Sequence, residues 1–140
     1  MKEKKYRIRR TKDLDLIVRI NDEIFPEDKL HVDEKTTAWI VYSEDGEIAG
    51  FCTCRNTGYG ILYMDRGGIK YKHRGKGLHR KLISAREAYA KKNGFKKIIT
   101  YVMKENWTSL FTLIRCDYLK YIPEYKYAGD NVIYLIKKLE

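Results

Sequence analysis

A mixed α/β fold, with a central mixed β-sheet flanked by helices, is what three features of this 140-residue sequence predict. Short stretches of period-two alternation recur along the chain and read as strands. Glu44-Asp45-Gly46-Glu47 is a hairpin-type turn joining two of them, which makes that pair antiparallel. From Tyr59 to Met103 the order is strand, Gly-rich loop, helix, strand, and such a crossover returns parallel to its start. A single domain over residues 1–140 is expected, because 44% apolar residues suffice for one core at this length. No Pro/Gly/Ser-rich linker and no internal repeat interrupts the chain.

Tyr6 to Arg10 alternates and opens the chain as a strand. Thr11 and Asp13 are caps for a helix whose Leu14, Ile17, Val18 and Ile20 share one face. Phe25-Pro26 ends it, and an acidic loop or short helix continues to Glu34. Thr37 to Tyr42 and Ile48 to Arg55 are the hairpin strands. Asn56-Thr57-Gly58 turns into a long strand from Tyr59 to Ile69. Gly75 and Gly77 open a helix carrying Leu78, Leu82, Ile83, Ala85 and Ala88, which stops at Asn93-Gly94. The apolar Ile98-Ile99 within Phe95 to Met103 suggests a central strand. Asn106 caps a helix through Leu110, Leu113 and Ile114. Two closing strands lie around Tyr118 to Tyr121 and Asn131 to Ile136.

Charge is distributed unevenly. The net charge is +10, and Arg66 to Lys97 holds twelve Lys/Arg against one acid, Glu87. Asp22 to Glu34 reverses this with six acids and one Lys. A basic face suits a polyphosphate ligand or nucleic acid, or simply a solvated surface. No apolar run approaches the roughly 18 residues of a membrane span. Met1-Lys2-Glu3-Lys4-Lys5 is charged with no apolar signal core behind it, so a cytosolic location is expected. Cys52, Cys54 and Cys116 form an odd set without a second cysteine pair or spaced histidines. Strand packing is the expected role of Cys52 and Cys54, and no metal site is expected. Cys116 reads as a core thiol.

Ile69 to Leu82 is a strand end, a Gly-rich loop and a helix start, which together form an anion cradle. The first turn of a helix has unpaired N–H groups and a partial positive charge. Gly75 and Gly77 admit positive φ and close approach of a phosphate, while Lys72, Arg74 and Lys76 add full charges. The loop lacks the Gly-Lys-Ser/Thr end of a nucleotide P-loop.

Tyr71 to Leu82 resembles motif A of the GNAT acetyltransferases, Arg/Gln-x-x-Gly-x-Gly/Ala, with Arg74, Gly77 and His79 in the defining places. Asn106-x-x-Ser109-Leu110 followed by Tyr118 is similar to the family's second cofactor segment, and Asn131 to Leu139 to its last strand. The resemblance spans essentially the whole chain and implies acetyl-CoA as cofactor. It implies that amides of Arg74, Gly75, Lys76, Gly77, Leu78 and His79 bind the pyrophosphate. Backbone groups near Ile69 and Tyr71, freed where the strand splays from its neighbour, would pair with pantetheine, and Asn106 would bond the same arm. Lys76, Arg80 and Lys81 are candidates for outer phosphate contacts or solvated charges.

The chain departs from the family pattern at two places. His79 stands where Gly or Ala is usual, and its imidazole is expected to be a surface cap. Leu113 stands where many members carry a Tyr that protonates the leaving thiolate. A base is still required, because an amine of pKa about 10 must lose a proton before it attacks. By family register that group falls at Tyr63, with Asp65 two residues on. Asp65 is the only acid between Glu47 and Glu87, which makes it the first choice over Tyr63. A structural pairing of Asp65 with Arg66 or a nearby Lys is the alternative.

Three functions follow from the resemblance. The first is acetyl transfer to a primary amine, either a small cationic one or the Lys or N-terminal amine of a protein. The second is acylation of a nucleic-acid-linked amine, on a modified base or an aminoacyl-tRNA, and the third is CoA binding without catalysis. The resemblance implies that the segment Asp22 to Glu34 forms one wall of the acceptor cleft, and its acids, with Phe25 and Trp39 as an aromatic wall, favour a polyamine-like or Lys-like acceptor. A homodimer is an admissible assembly.

Overall fold

A computed structural model describes residues 5–139; residues 1–4 of the charged start, and residue 140, lie outside the described residues. The elements run β1 (Arg7–Thr11), α1 (Leu14–Ile24), β2 (Thr36–Tyr42), β3 (Ile48–Asn56), β4 (Ile61–Ile69), α2 (Leu78–Lys92), β5 (Lys97–Met103), α3 (Trp107–Arg115), β6 (Leu119–Lys120) and β7 (Val132–Lys138). They form one seven-stranded sheet in the order β1-β2-β3-β4-β5-β7-β6. Among the described residues, only the β4–β5 pair is parallel, as the α2 crossover requires. β5 lies inside the sheet, as its apolar run suggests.

Local chemistry explains the ends of the elements. Asp13 caps α1 by accepting from Leu16 N at 3.1 Å, and loss of such a cap costs about 1 kcal/mol. Asn106 caps α3 in the same way through Ser109 N at 3.2 Å. The hairpin turn closes with Ser43 N donating to Glu47 O at 2.8 Å. The helices cover both faces. α2 and α3 pack on Trp39, Val41, Cys52, Cys54, Leu62, Met64 and Ile98. Ile17 and Ile20 of α1 pack on Ala38, Ile40 and Phe51 of the opposite face.

Two features of β4 shape what lies beneath it. Its parallel pairing with β5 covers only Ile61 to Tyr63, opposite Lys97 to Ile99, while β5 continues along β7 to Met103. Opposite β3 the register passes from Cys54↔Met64 to Cys52↔Gly67, so β4 carries one extra residue around Asp65-Arg66, a bulge. Beyond it, Gly68 lets α1 approach the strand closely. A Cβ there would lie 2.6 Å from Phe25 Cε2 at the end of α1.

Candidate functional site

The Gly-rich segment leaves β4 through a 3₁₀ turn, Tyr71–His73, and enters α2 at Gly77, which is left-handed at φ 73. No side chain caps α2, so its first N–H groups stay available. Ile69, Arg74, Gly75, Gly77, Leu78 and His79 line a recess of about 350 Å³, with Asn106, Ser109 and Thr112 of α3 on the far wall. Buried His73 anchors the loop: it bonds Tyr6 Oη through Nδ1 and Glu47 Oε1 through Nε2, each at 3.0 Å. Arg74 Nε donates to Ile69 O at 3.0 Å. The rest of the expected set lies outside this recess. Tyr71 is 85% exposed, with Arg74 stacked on its ring, and Lys76 points to solvent.

Where β4 leaves β5, a second recess of about 370 Å³ adjoins the first. Phe25, Gly67, His79, Asn106 and Ser109 line both, so the two form one cleft running from the Gly-rich loop through the sheet. Asp65 lies at its far end with Asp28, Arg66 and Tyr101. Burial raises the Asp65 carboxyl above its usual value, and the charges of Arg66, Arg55, Arg86 and His31 only partly oppose this. Asp65 makes no salt bridge with any described residue. The pairing with Arg66 is absent because Arg66 Nη1 instead donates to Asn21 Oδ1 and Asp28 O, both at 2.8 Å.

A raised carboxyl pKa has a consequence for stability. The folded chain holds this proton to a higher pH than the unfolded one, so stability falls as pH rises through that window. Asp65→Asn is therefore expected to raise the melting temperature at neutral pH, with the gain shrinking as the pH is lowered toward the ordinary Asp value of about 4. Paired melting curves across that range check it. A gain independent of pH would remove the buried charge as its cause.

Tyr63 does not line the cleft, although the Asp65 charge reaches its phenol. It stacks on Tyr101 at 6.3 Å, meets Tyr127 edge-on at 5.7 Å, and lines a separate recess with Arg55 and Ile99. Burial pushes its phenol up, away from service as a base. His79 differs from the expected surface cap. It shares the sheet-facing side of α2 with Ile83 and Arg86 and forms part of the cleft wall. Burial, helped by the Arg86 charge, lowers its imidazole to about 4, so it is neutral at neutral pH. Leu113 is buried at the α3 side of the cleft.

Of the six acids of the acidic segment, Asp28 lines the cleft. Glu23 is held by Lys70 at 3.0 Å, and Asp33 by both Arg55 nitrogens at 3.0 Å. Burial raises the Cys52 and Cys54 thiols to about 11 and about 12, leaving them as core side chains. Cys116 packs against the same core. Among the described residues, no group of three His, Cys, Asp or Glu could hold a metal, and no helix is long and apolar enough to cross a membrane.

Sequence reasoning passed over Arg86. It occupies the register of Leu82 and Ala90 on α2, and a lone charge on that apolar face was the available signal. It also did not foresee the bulge, which depends on the partner strand.

The model of the acetyltransferase (GNAT) family matches residues 6–112. A Klebsiella pneumoniae structure of the acyl-CoA N-acyltransferase class superposes with a TM-score of 0.79 at 22% identity, covering 96% of this chain and 98% of that one. A Bacillus subtilis acetyltransferase in complex with CoA gives 0.76 at 17% identity, covering 97% and 100%. Spermidine N-acetyltransferase from Vibrio cholerae, a dodecamer, gives 0.72 at 18% identity, covering 95% and 93%. At these identities the likeness to solved structures is one of fold. No curated protein matches the sequence.

Proposed function

The chain belongs to the GNAT acetyltransferase family, and from that premise we propose that it transfers an acetyl group from acetyl-CoA directly to a primary amine. One observation carries this reading: a single cleft joins the Gly-rich loop at one end to a half-buried carboxyl group without a salt-bridge partner among the described residues at the other. Amides of residues 75–79 hold the pyrophosphate on the open first turn of α2, the Arg74 N–H being donated to Tyr71 O at 3.2 Å. Backbone groups of β4 about Ile69, with those toward Tyr71, pair with the pantetheine amides. Asn106 Oδ1 is engaged by Ser109 N, so its amide NH₂ is the group that donates to that arm. Lys76, Arg80 and Lys81 surround the loop and supply longer-range attraction for phosphate.

Acetyl-CoA supplies an activated thioester; the protein supplies position and a proton acceptor. Asp65 takes the proton of the incoming ammonium, which suits a carboxyl whose basicity is raised by burial. Leu113 offers no acid, and none is needed for a thiolate that solvent can protonate. A small cationic amine of polyamine or lysine type is the proposed acceptor. Asp28 and Asp65 face it with Tyr101 beside them, as the pairing of acid and aromatic wall favours. The V. cholerae structure of the same fold is a spermidine N-acetyltransferase, and spermidine is a member of that chemical class.

An amine panel read by thiol release, run beside gel shifts with tRNA and DNA, tests this. Turnover with polyamines or lysine derivatives supports the reading. Tight, steeply salt-dependent nucleic-acid binding without amine turnover would move the assignment to an acceptor carried on nucleic acid.

A further inference from the structure

Arg86 is 3% exposed in the middle of α2, a place where a permanent charge is costly unless it is compensated. No described acid lies within salt-bridge distance. The side chain is held instead by neutral acceptors: Nε donates to Leu82 O at 3.1 Å and Nη1 to Thr53 O at 3.3 Å. These two bonds, from one helix and one strand, fix the guanidinium plane. Nη2 takes part in neither and turns toward Gly67, where a Cβ would lie 3.5 Å from it. Gly67 lines both recesses, and Arg86 forms part of the wall of the second.

An acyl thioester reaching from the Gly-rich loop to the Asp65 end must pass Gly67. The geometry points to Arg86 as a catalytic residue that donates through Nη2 to the acyl carbonyl oxygen and holds the negative charge formed there. This rests on the acetyl-transfer reading above. The amine nitrogen, deprotonated toward Asp65, forms a bond to the carbonyl carbon, and the C=O electron pair moves onto oxygen beside the guanidinium. The pair then returns, the C–S bond breaks, and CoA leaves as thiolate. Of the two protons lost from the ammonium nitrogen, one ends on the thiol and one in solvent. A preorganised donor in a cleft of this kind acts on the transition state more than on binding. Beside it, Thr100 Oγ1 is spent on Met64 O at 2.9 Å, and Arg66 Nη1 on Asn21 Oδ1 and Asp28 O, both at 2.8 Å.

The direct test is the carbonyl stretch of carbonyl-¹³C acetyl-CoA bound to the protein, by difference infrared spectroscopy. The parent should lower the stretch relative to free acetyl-CoA. Arg86→Met should return it toward the free value and lower kcat by roughly 10²–10³, with the dissociation constant for acetyl-CoA changed less than about threefold. Because Arg86→Met removes buried bonds and can fail to fold, Gly67→Ala is the second variant. Its methyl meets Nη2, Cys52 Cβ and Phe51 O at 3.5 to 3.8 Å, ordinary contacts, and so crowds the Nη2 face of Arg86. It too should restore the free stretch. An unshifted stretch in the parent, or an identical shift in parent and a folded variant, overturns the role of Arg86 while leaving acetyl-CoA binding intact. No bound acetyl-CoA signal in the parent would instead sink the acetyl-transfer reading itself.

Discussion

Gly77→Val is expected to abolish most of the rise in melting temperature that acetyl-CoA gives the parent. Ligand that binds only the folded state stabilises it in proportion to the logarithm of its concentration over Kd, so the shift reports affinity. Gly77 holds φ 73 with no side-chain cap at the helix start it precedes. A β-branched residue resists that conformation by about 1–3 kcal/mol, and its methyls would occupy the open space beside the α2 amides. A loss of 2–3 kcal/mol corresponds to roughly 30- to 150-fold in Kd. The cost of forcing Val into this φ also lowers the melting temperature without ligand. The comparison is therefore the ligand-induced shift of each protein, measured by differential scanning fluorimetry across acetyl-CoA concentrations. A Gly77→Val protein shifted as far as the parent would remove the loop from the cofactor site.

Asp65→Asn is expected to lower kcat/KM for the amine by roughly 10²–10⁴ and leave the Kd for acetyl-CoA nearly unchanged, since Asp65 lines the second recess and not the one at the Gly-rich loop. The sign with pH follows from the environment. Burial keeps the Asp65 carboxyl protonated to a higher pH than usual, and the guanidinium groups of Arg66, Arg55 and Arg86, with His31, limit that rise. Only the deprotonated form accepts a proton, so the parent's rate climbs with pH through this group. Asn cannot titrate, and that limb should vanish. The pH profile of kcat/KM in both proteins, with acetyl-CoA saturating, decides it. An unchanged profile would assign the limb to another group or to the amine itself.

These effects lie at different distances from what a sequence reveals. The hairpin at Glu44–Glu47 and the loop opening α2 carry local signals, a turn with a left-handed Gly46 and a glycine pair before an apolar face. Both were legible. β6 was expected from Tyr118 to Tyr121 and spans only Leu119–Lys120. Tyr118 is instead committed to the core, where its hydroxyl donates to Glu87 at 2.8 Å. The bulge at Asp65-Arg66 is a relation between β3 and β4, and no residue on β4 alone announces it. Glu23 and Asp33 looked available to a cationic acceptor because Lys70 and Arg55, which hold them, are far away in the chain. His79 and Arg86 were visible as residues, yet their burial depends on how α2 meets the opening between β4 and β5.

Native mass spectrometry of the protein with acetyl-CoA, before and after adding a polyamine, tests the central claim most directly. The prediction is one acetyl-CoA per chain, followed on amine addition by loss of one acetyl mass from the bound species and its appearance on the amine. The Gly77→Val protein should show little of the complex, and the Asp65→Asn protein should keep the acetyl group in place. Acetyl-CoA that fails to associate with the parent, or that stays acetylated beside every amine offered, would contradict the account.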